Sequence, residues 1–328
     1  MKRGKAMKKT VSLVLAVIFA LLLIPGASAA SEPVRIGGLK GPTTMGIVKL
    51  IDDAENGLTE NDYEFSMAVT ADELTPKFLK GELDVLCVPC NLGSVLYNNS
   101  NGAAQVAAVG TLGVLYIVEN GTQDIQSLSD LKGRTIYATG KGTTPEYALD
   151  YLLEQYGLDA ETDLNIEWKS EPTEVISQMS LEEGSVALMP QPFVTVAQMQ
   201  LENLRVALDL TEHWDGLDNG SRLVTATVIV RKEYAQQHAA ELETFLREYS
   251  DSVDYVNSNL SESALLIDEL GIVKAPVAER AIPYCKLVCI TGESMKAAVS
   301  GYLETLFKLN PKAVGGKLPG EDFYLIYE

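Results

Sequence analysis

Two short stretches, Lys40-Gly41-Pro42-Thr43-Thr44 and Lys141-Gly142-Thr143-Thr144-Pro145, repeat the same local chemistry. Each is followed by a second echo: Phe78-Leu79-Lys80-Gly81-Glu82-Leu83-Asp84-Val85-Leu86 leads to Pro89, and Met179-Ser180-Leu181-Glu182-Glu183-Gly184-Ser185-Val186-Ala187-Leu188-Met189 leads to Pro190. Lys40 and Lys141, Gly41 and Gly142, Thr43 and Thr144, and Pro89 and Pro190 all stand 101 positions apart. One such match is noise. A turn and a strand end kept in register predict two lobes of similar architecture.

Strand-like and helix-like segments alternate along both halves, the pattern of an α/β fold. Val34 to Leu39 reads as a strand, Thr43 or Thr44 as a helix N-cap, and Ile47, Leu50, Ile51 and Ala54 as one apolar helical face closed by Gly57. The second half restarts near residue 128. Thr135 to Ala138 is a strand, and Thr144 caps a helix with Pro145 at its first position that stops at Gly157. Thr111 to Val118 reads as one buried strand ending at the Asn120-Gly121 turn, with Leu223 to Val230 as its return. Beyond Arg231 the pattern is helical, with Phe245, Tyr249, Val253 and Val256 on one face and a last helix from Met295 to Leu309 ending before Pro311.

The expected organisation is a signal segment at 1–29, a discontinuous first lobe made of 30–117 and 228–328, and a second lobe at 118–227. Each lobe is a mixed, mainly parallel sheet flanked by helices, and two hinge crossovers, at 117–122 and 222–228, join them. The signal reading rests on Lys2, Arg3, Lys5, Lys8 and Lys9 ahead of the apolar run Val11 to Ile24, then Pro25 and Gly26, with Ala27 and Ala29 supplying the small-x-small pattern for cleavage after Ala29. A membrane anchor is the alternative, but Pro25 and Gly26 cut the run short of the ~20 residues a spanning helix wants. The expected product is exported, periplasmic or extracellular, soluble after cleavage, and monomeric.

Cleavage would leave 21 basic against 45 acidic side chains, a formal balance of −24. Such a surface repels phosphate backbones, so nucleic acid is excluded as a partner. The four cysteines form the close pairs Cys87/Cys90 and Cys285/Cys289. Disulfides are open to an exported chain, yet one this long with 46% hydrophobic residues does not depend on them. The second spacing is wrong for zinc and the only histidines are His213 and His238, so no metal or other cofactor is expected.

The stretches Ser127-Leu128-Ser129-Asp130-Leu131-Lys132-Gly133-Arg134-Thr135-Ile136, Gly-Glu-Leu-Asp-Val at 81–85, and Gly-x-x-x-x-x-Pro-x-Pro at 184–192 resemble the solute-binding proteins of the nitrate, taurine and sulfonate uptake group of ABC transporters. The resemblance runs from Val34 to Tyr302. It implies a periplasmic-binding-protein fold of type II, the two-crossover kind, a small-molecule solute held between the lobes, and delivery to ABC permease subunits in the membrane. Members of that group take nitrate, sulfonates, taurine or thiamine-pyrimidine-like heteroaromatics, so the resemblance leaves the solute open.

In open α/β sheets ligands sit beyond the carboxyl ends of the strands. The candidate ligand-binding residues at those ends are Lys40, Pro42, Thr43, Thr44, Cys90, Asn91, Thr111, Leu112, Gly113, Lys141, Gly142, Thr143, Thr144, Pro190 and Gln191, with Trp214 in the loop before the return strand. Unpaired N–H groups at two helix starts, flanked by threonines, accept an anion without a dedicated arginine. The same threonines also read as plain N-caps. Cys90 offers a small, soft wall; Asn91 and Gln191 offer donors and acceptors from opposite halves. No catalytic residue is named: there is no Gly-x-Ser-x-Gly, P-loop or His-Glu-x-x-His motif. The rival readings are a two-lobed extracytoplasmic enzyme, a pyrimidine-synthesis relative of the same fold, and a sensor signalling to a membrane kinase.

Overall fold

Central strands such as Val85–Pro89 and Val186–Pro190 are continuous apolar runs, as buried strands are, whereas the edge strands Tyr63–Ala68 and Asn165–Trp168 carry polar, partly exposed residues. The structure is a computed structural model and describes residues 32–326, so the expected signal segment at 1–29 lies outside the described residues. In chain order the first half contains β1 (Val34–Leu39), α1 (Pro42–Met45), α2 (Val48–Glu55), β2 (Tyr63–Ala68), α3 (Ala71–Leu79), β3 (Val85–Pro89), α4 (Cys90–Asn99) and β4 (Ala104–Leu112). Next come β5 (Leu115–Asn120), β6 (Thr135–Ala138), α5 (Thr144–Gln155), β7 (Asn165–Trp168), α6 (Pro172–Leu181), β8 (Val186–Pro190), α7 (Phe193–Gln200), β9 (Leu204–Asp209) and α8 (Leu210–Asp215). The chain then returns through β10 (Val224–Arg231), α9 (Lys232–Gln237), α10 (Ala239–Ser258), α11 (Leu260–Glu269), α12 (Ala275–Ala281), β11 (Leu287–Ile290) and α13 (Gly292–Leu309).

Two mixed sheets result, ordered β11-β4-β10-β3-β1-β2 and β7-β6-β8-β5-β9. The 101-residue echo is built into them: Val34 and Thr135 open β1 and β6, Ala71 and Pro172 open α3 and α6, and Val85 and Val186 open β3 and β8. In the first sheet β1 lies parallel to β2 and β3, and in the second β6 lies parallel to β7 and β8. The position between β3 and β4 is filled by β10, antiparallel to both. The matching position between β8 and β9 is filled by β5, again antiparallel to both. Each sheet therefore receives its antiparallel strand from just past a passage between the sheets.

Two elements differ from the sequence reading. The strand expected over 111–118 is broken at Gly113 and Val114, whose φ values of 73° and 75° are left-handed. The halves of that run belong to different sheets, β4 and β5. The chain passes between the sheets at 113–114, ahead of the segment 117–122 expected as a hinge, and over 216–223, which runs into the segment expected at 222–228. The helix expected from Thr43 to Gly57 is also interrupted. A serine of α10 enters the ladder there: Ser252 Oγ donates to the Gly46 carbonyl at 2.8 Å and accepts from Leu50 N–H at 3.1 Å, taking both ends of a would-be i→i+4 bond. Gly46 fits this approach because a Cβ would stand 3.1 Å from Val253 Cγ2.

The largest apolar cluster runs from one sheet into the other, joining Leu86, Leu112, Leu115, Ile117, Leu208, Trp214, Leu223 and Tyr302. Two buried carboxylates anchor the ends of the strands away from the helix starts. Asp84, 1% exposed, takes Arg35 at 2.7 Å and Arg231 at 2.8 Å. Glu119 takes Arg205 at 2.5 Å and the Asp124 amide at 3.0 Å. Burial works against ionisation of Asp84, but the hydrogen bonds from Arg35 and Arg231 hold its carboxyl below the ordinary range. The four cysteines are free.

Candidate functional site

Parallel strands deliver their carboxyl ends, and the helix starts that follow, to one edge of each sheet. β3 ends at Pro89 and α4 begins at once, with no side-chain cap on its first N–H groups. β6 ends at Ala138, and two left-handed glycines, Gly140 (φ 85°) and Gly142 (φ 76°), turn the chain into α5. α5 also lacks a side-chain cap: Thr143 bonds backward to the Gly140 carbonyl at 2.7 Å.

These two helix starts meet across the gap between the sheets. Asn91, 2% exposed at the start of α4, donates to Gly142 O at 3.4 Å and to Ala313 O at 3.2 Å. Thr144, fully buried at the start of α5, donates to Asn91 Oδ1 at 3.5 Å. The cross-gap contacts are long, whereas the anchor to Ala313 belongs to the C-terminal segment packed along α4, where Ser94 and Asn98 bond Val314 O at 2.8 and 2.7 Å. Asn91 is thereby fixed on its own side and presented to the other. A second bridge runs from Tyr116 Oη to Tyr284 O at 3.2 Å.

Of the residues expected at the site, Asn91, Gly142 and Thr144 are in direct contact, and Thr143 and Cys90 flank them. Lys40 and Lys141 are exposed on the two turns. Neither Thr43 nor Thr44 is an N-cap: Gly41 is, and both hydroxyls donate back to Leu39 O at 2.8 and 2.6 Å. With Pro42 they form α1, a single turn of four residues that has too few aligned peptides to act as a helix dipole. The Gln191 side-chain oxygen accepts from the Thr195 hydroxyl at 2.9 Å and its backbone N–H donates to Val114 O at 3.0 Å, while Pro190 pairs with Leu115 in the sheet. Leu112 ends β4 and Gly113 opens the passage between the sheets, and Thr111, fully buried beside them, has a hydroxyl without a partner.

Trp214 is not a stacking platform. It is fully buried, donates to Ser221 Oγ at 3.0 Å, and is wedged between Tyr151 and Tyr302 at centroid distances of 4.7 and 5.5 Å. Cys90 is likewise enclosed, and burial pushes its thiol far up, so it stays a neutral wall. Sequence reasoning missed Tyr302, Ala313 and Tyr116. Tyr302 shares a helical face with Met295, Val299 and Leu306 and reads as core, and Ala313 acts through a carbonyl that any residue carries. Among the described residues no cluster of metal-ligating side chains occurs. Two cavities of about 340 and 380 Å³ flank α10, away from the helix starts.

Two like sheets facing one another through uncapped helix starts define a two-lobed solute-binding architecture. The family described as ABC transporter, phosphonate, periplasmic substrate-binding protein matches residues 49–276, and the chain belongs to it. No curated protein matches the sequence. Solved structures share the fold. An ABC transporter protein from Parabacteroides distasonis is 21% identical with a TM-score of 0.74, covering 90% of this chain and 99% of that one. The periplasmic aliphatic sulphonate binding protein SsuA from Escherichia coli is 18% identical at 0.70, covering 90% and 96%. The alkanesulfonate-binding protein SsuA from Xanthomonas axonopodis pv. citri bound to MOPS is 14% identical at 0.67, covering 89% and 96%. Among the described residues no helix is long and apolar enough to cross a membrane.

Proposed function

We propose that the chain captures a small organic anion, a sulfonate or phosphonate, between its two sheets, and that the sheets with their helices act as lobes that close around it before it passes to an ABC permease. The observation that carries this reading is the meeting of α4 and α5. Two helix starts without side-chain N-caps, from opposite halves, bring N–H donors and positive dipole ends to one place, where the Glu146 carboxylate takes the Gly142 N–H and the exposed Lys141 lies next to Gly142 in the turn. A ligand closes a two-lobed protein only by binding the closed form better, so donors from both halves are what the mechanism needs. The enclosed Trp214 offers no free ring face, which favours an anionic head over a heteroaromatic solute.

Calorimetric titration with alkanesulfonates and alkylphosphonates tests the reading directly. Wild-type protein is expected to bind one class, and Asn91→Asp to lose at least about tenfold in affinity, because a carboxylate replaces the donor facing Gly142 O and adds negative charge beside an anion. Unchanged affinity in Asn91→Asp would remove the α4–α5 junction from the function. A radius of gyration that does not fall on saturation would remove closure.

A further inference from the structure

A hydroxyl that neither sequence nor family points to stands at this junction. Tyr302, on α13, is 0% exposed and packs its ring against Trp214 at 5.5 Å. Its Oη has no hydrogen-bond partner among the described residues. Cys90 at the start of α4 lies near it, and the Thr144 hydroxyl at the start of α5 approaches it as a donor that favours the ionised phenol, but no acceptor in good hydrogen-bond geometry takes the Tyr302 proton. Buried polar groups are almost always paired, and leaving one unpaired costs about 1–3 kcal/mol. A protein that places such a group between two uncapped helix starts has a use for it.

We propose that Tyr302 donates its hydroxyl proton to the anionic head of the bound solute, completing a donor set made otherwise of helix N–H groups and the Thr144 hydroxyl. This rests on the α4–α5 site described above and adds to it a third element, α13, and a specificity-determining residue. The donors facing the head are then all neutral. Burial pushes the Tyr302 hydroxyl well above its ordinary value, so it stays protonated and donates throughout the physiological range. A neutral donor set meets one negative charge better than two, so the geometry favours a monoanion, a sulfonate or a singly ionised phosphonate.

Tyr234 provides a control. Its hydroxyl is also buried without a partner, but it sits on α9 beside Asp84, at the opposite end of the first sheet. Tyr302→Phe and Tyr234→Phe each remove one unpaired hydroxyl and are both expected to keep or slightly raise the melting temperature of the ligand-free protein. Titration with ethanesulfonate and ethylphosphonate separates them. Tyr302→Phe is expected to weaken binding by roughly 10–100-fold, the loss of one hydrogen bond to a charged group, while Tyr234→Phe binds as wild type. The preference for ethanesulfonate over ethylphosphonate is expected to grow as rising pH doubly ionises the phosphonate. Equal affinities in Tyr302→Phe and wild type would overturn the role of Tyr302 and leave the receptor reading standing. Wild-type protein that binds neither probe would overturn both.

Discussion

Asp84 shows how much a single carboxylate fixes. It closes two arginine contacts from β1 and the end of β10, strands separated by β3 in the sheet and by most of the chain in sequence. Asp84→Ala leaves Arg35 and Arg231 without this shared partner, and the expected loss of stability is about 3–5 kcal/mol, read as a lower urea midpoint. The pH dependence follows from the depressed carboxyl. An unfolded aspartate ionises near about 3.9, so the stabilisation is fully present above that value and is lost as pH falls through the lower folded value. Asp84→Asn is therefore expected to flatten the acid limb of a stability–pH curve while leaving its alkaline limb in place. A wild-type acid limb in that variant would assign acid unfolding to other carboxylates.

Between elements, the passage at Gly113 and Val114 is the tightest spot. A Cβ on Gly113 would meet Thr211 Oγ1 at 2.2 Å, and φ is 73°, so Gly113→Ala clashes and strains the backbone together. The expected cost is about 1–3 kcal/mol, and Thr211→Ala in the same chain is expected to recover part of it. Simple additivity of the two changes in thermal denaturation would show that the contact does not govern the passage. This break was not legible in the sequence. Thr111 to Val118 is uniformly apolar, and a glycine within such a run signals a bulge as readily as a change of sheet. The interruption after Met45 was hidden for a different reason, since its cause, Ser252, lies about 200 positions away. The α5 start was legible because the glycine turn and Pro145 act locally, although its N-cap is Thr143 and not Thr144; the α4 start, which follows directly on the end of β3, was not read from the sequence. Nor was Tyr302, since its spacing on α13 is that of a core residue and only the fold brings it to Thr144.

For the whole molecule, the 101-residue echo and the alternation of strands with helices were enough to expect two like halves, because side-chain period and turn chemistry are local properties. The strand exchange between β5 and β10 had no such local mark. The apolar cluster that crosses from sheet to sheet through Leu115, Trp214 and Tyr302 carries a thermodynamic consequence: residues 32–326 are expected to unfold in one calorimetric transition whose van't Hoff and measured enthalpies agree. Two resolved peaks would mean that the sheets melt separately. The position of β10 also constrains how the chain is born. A ribosome finishes β3 and β4 well before it reaches Val224, yet the strand that pairs with both has still to be translated. Until then the nascent first sheet is left with a vacant slot at its centre, so its completion waits until Arg231 has been made.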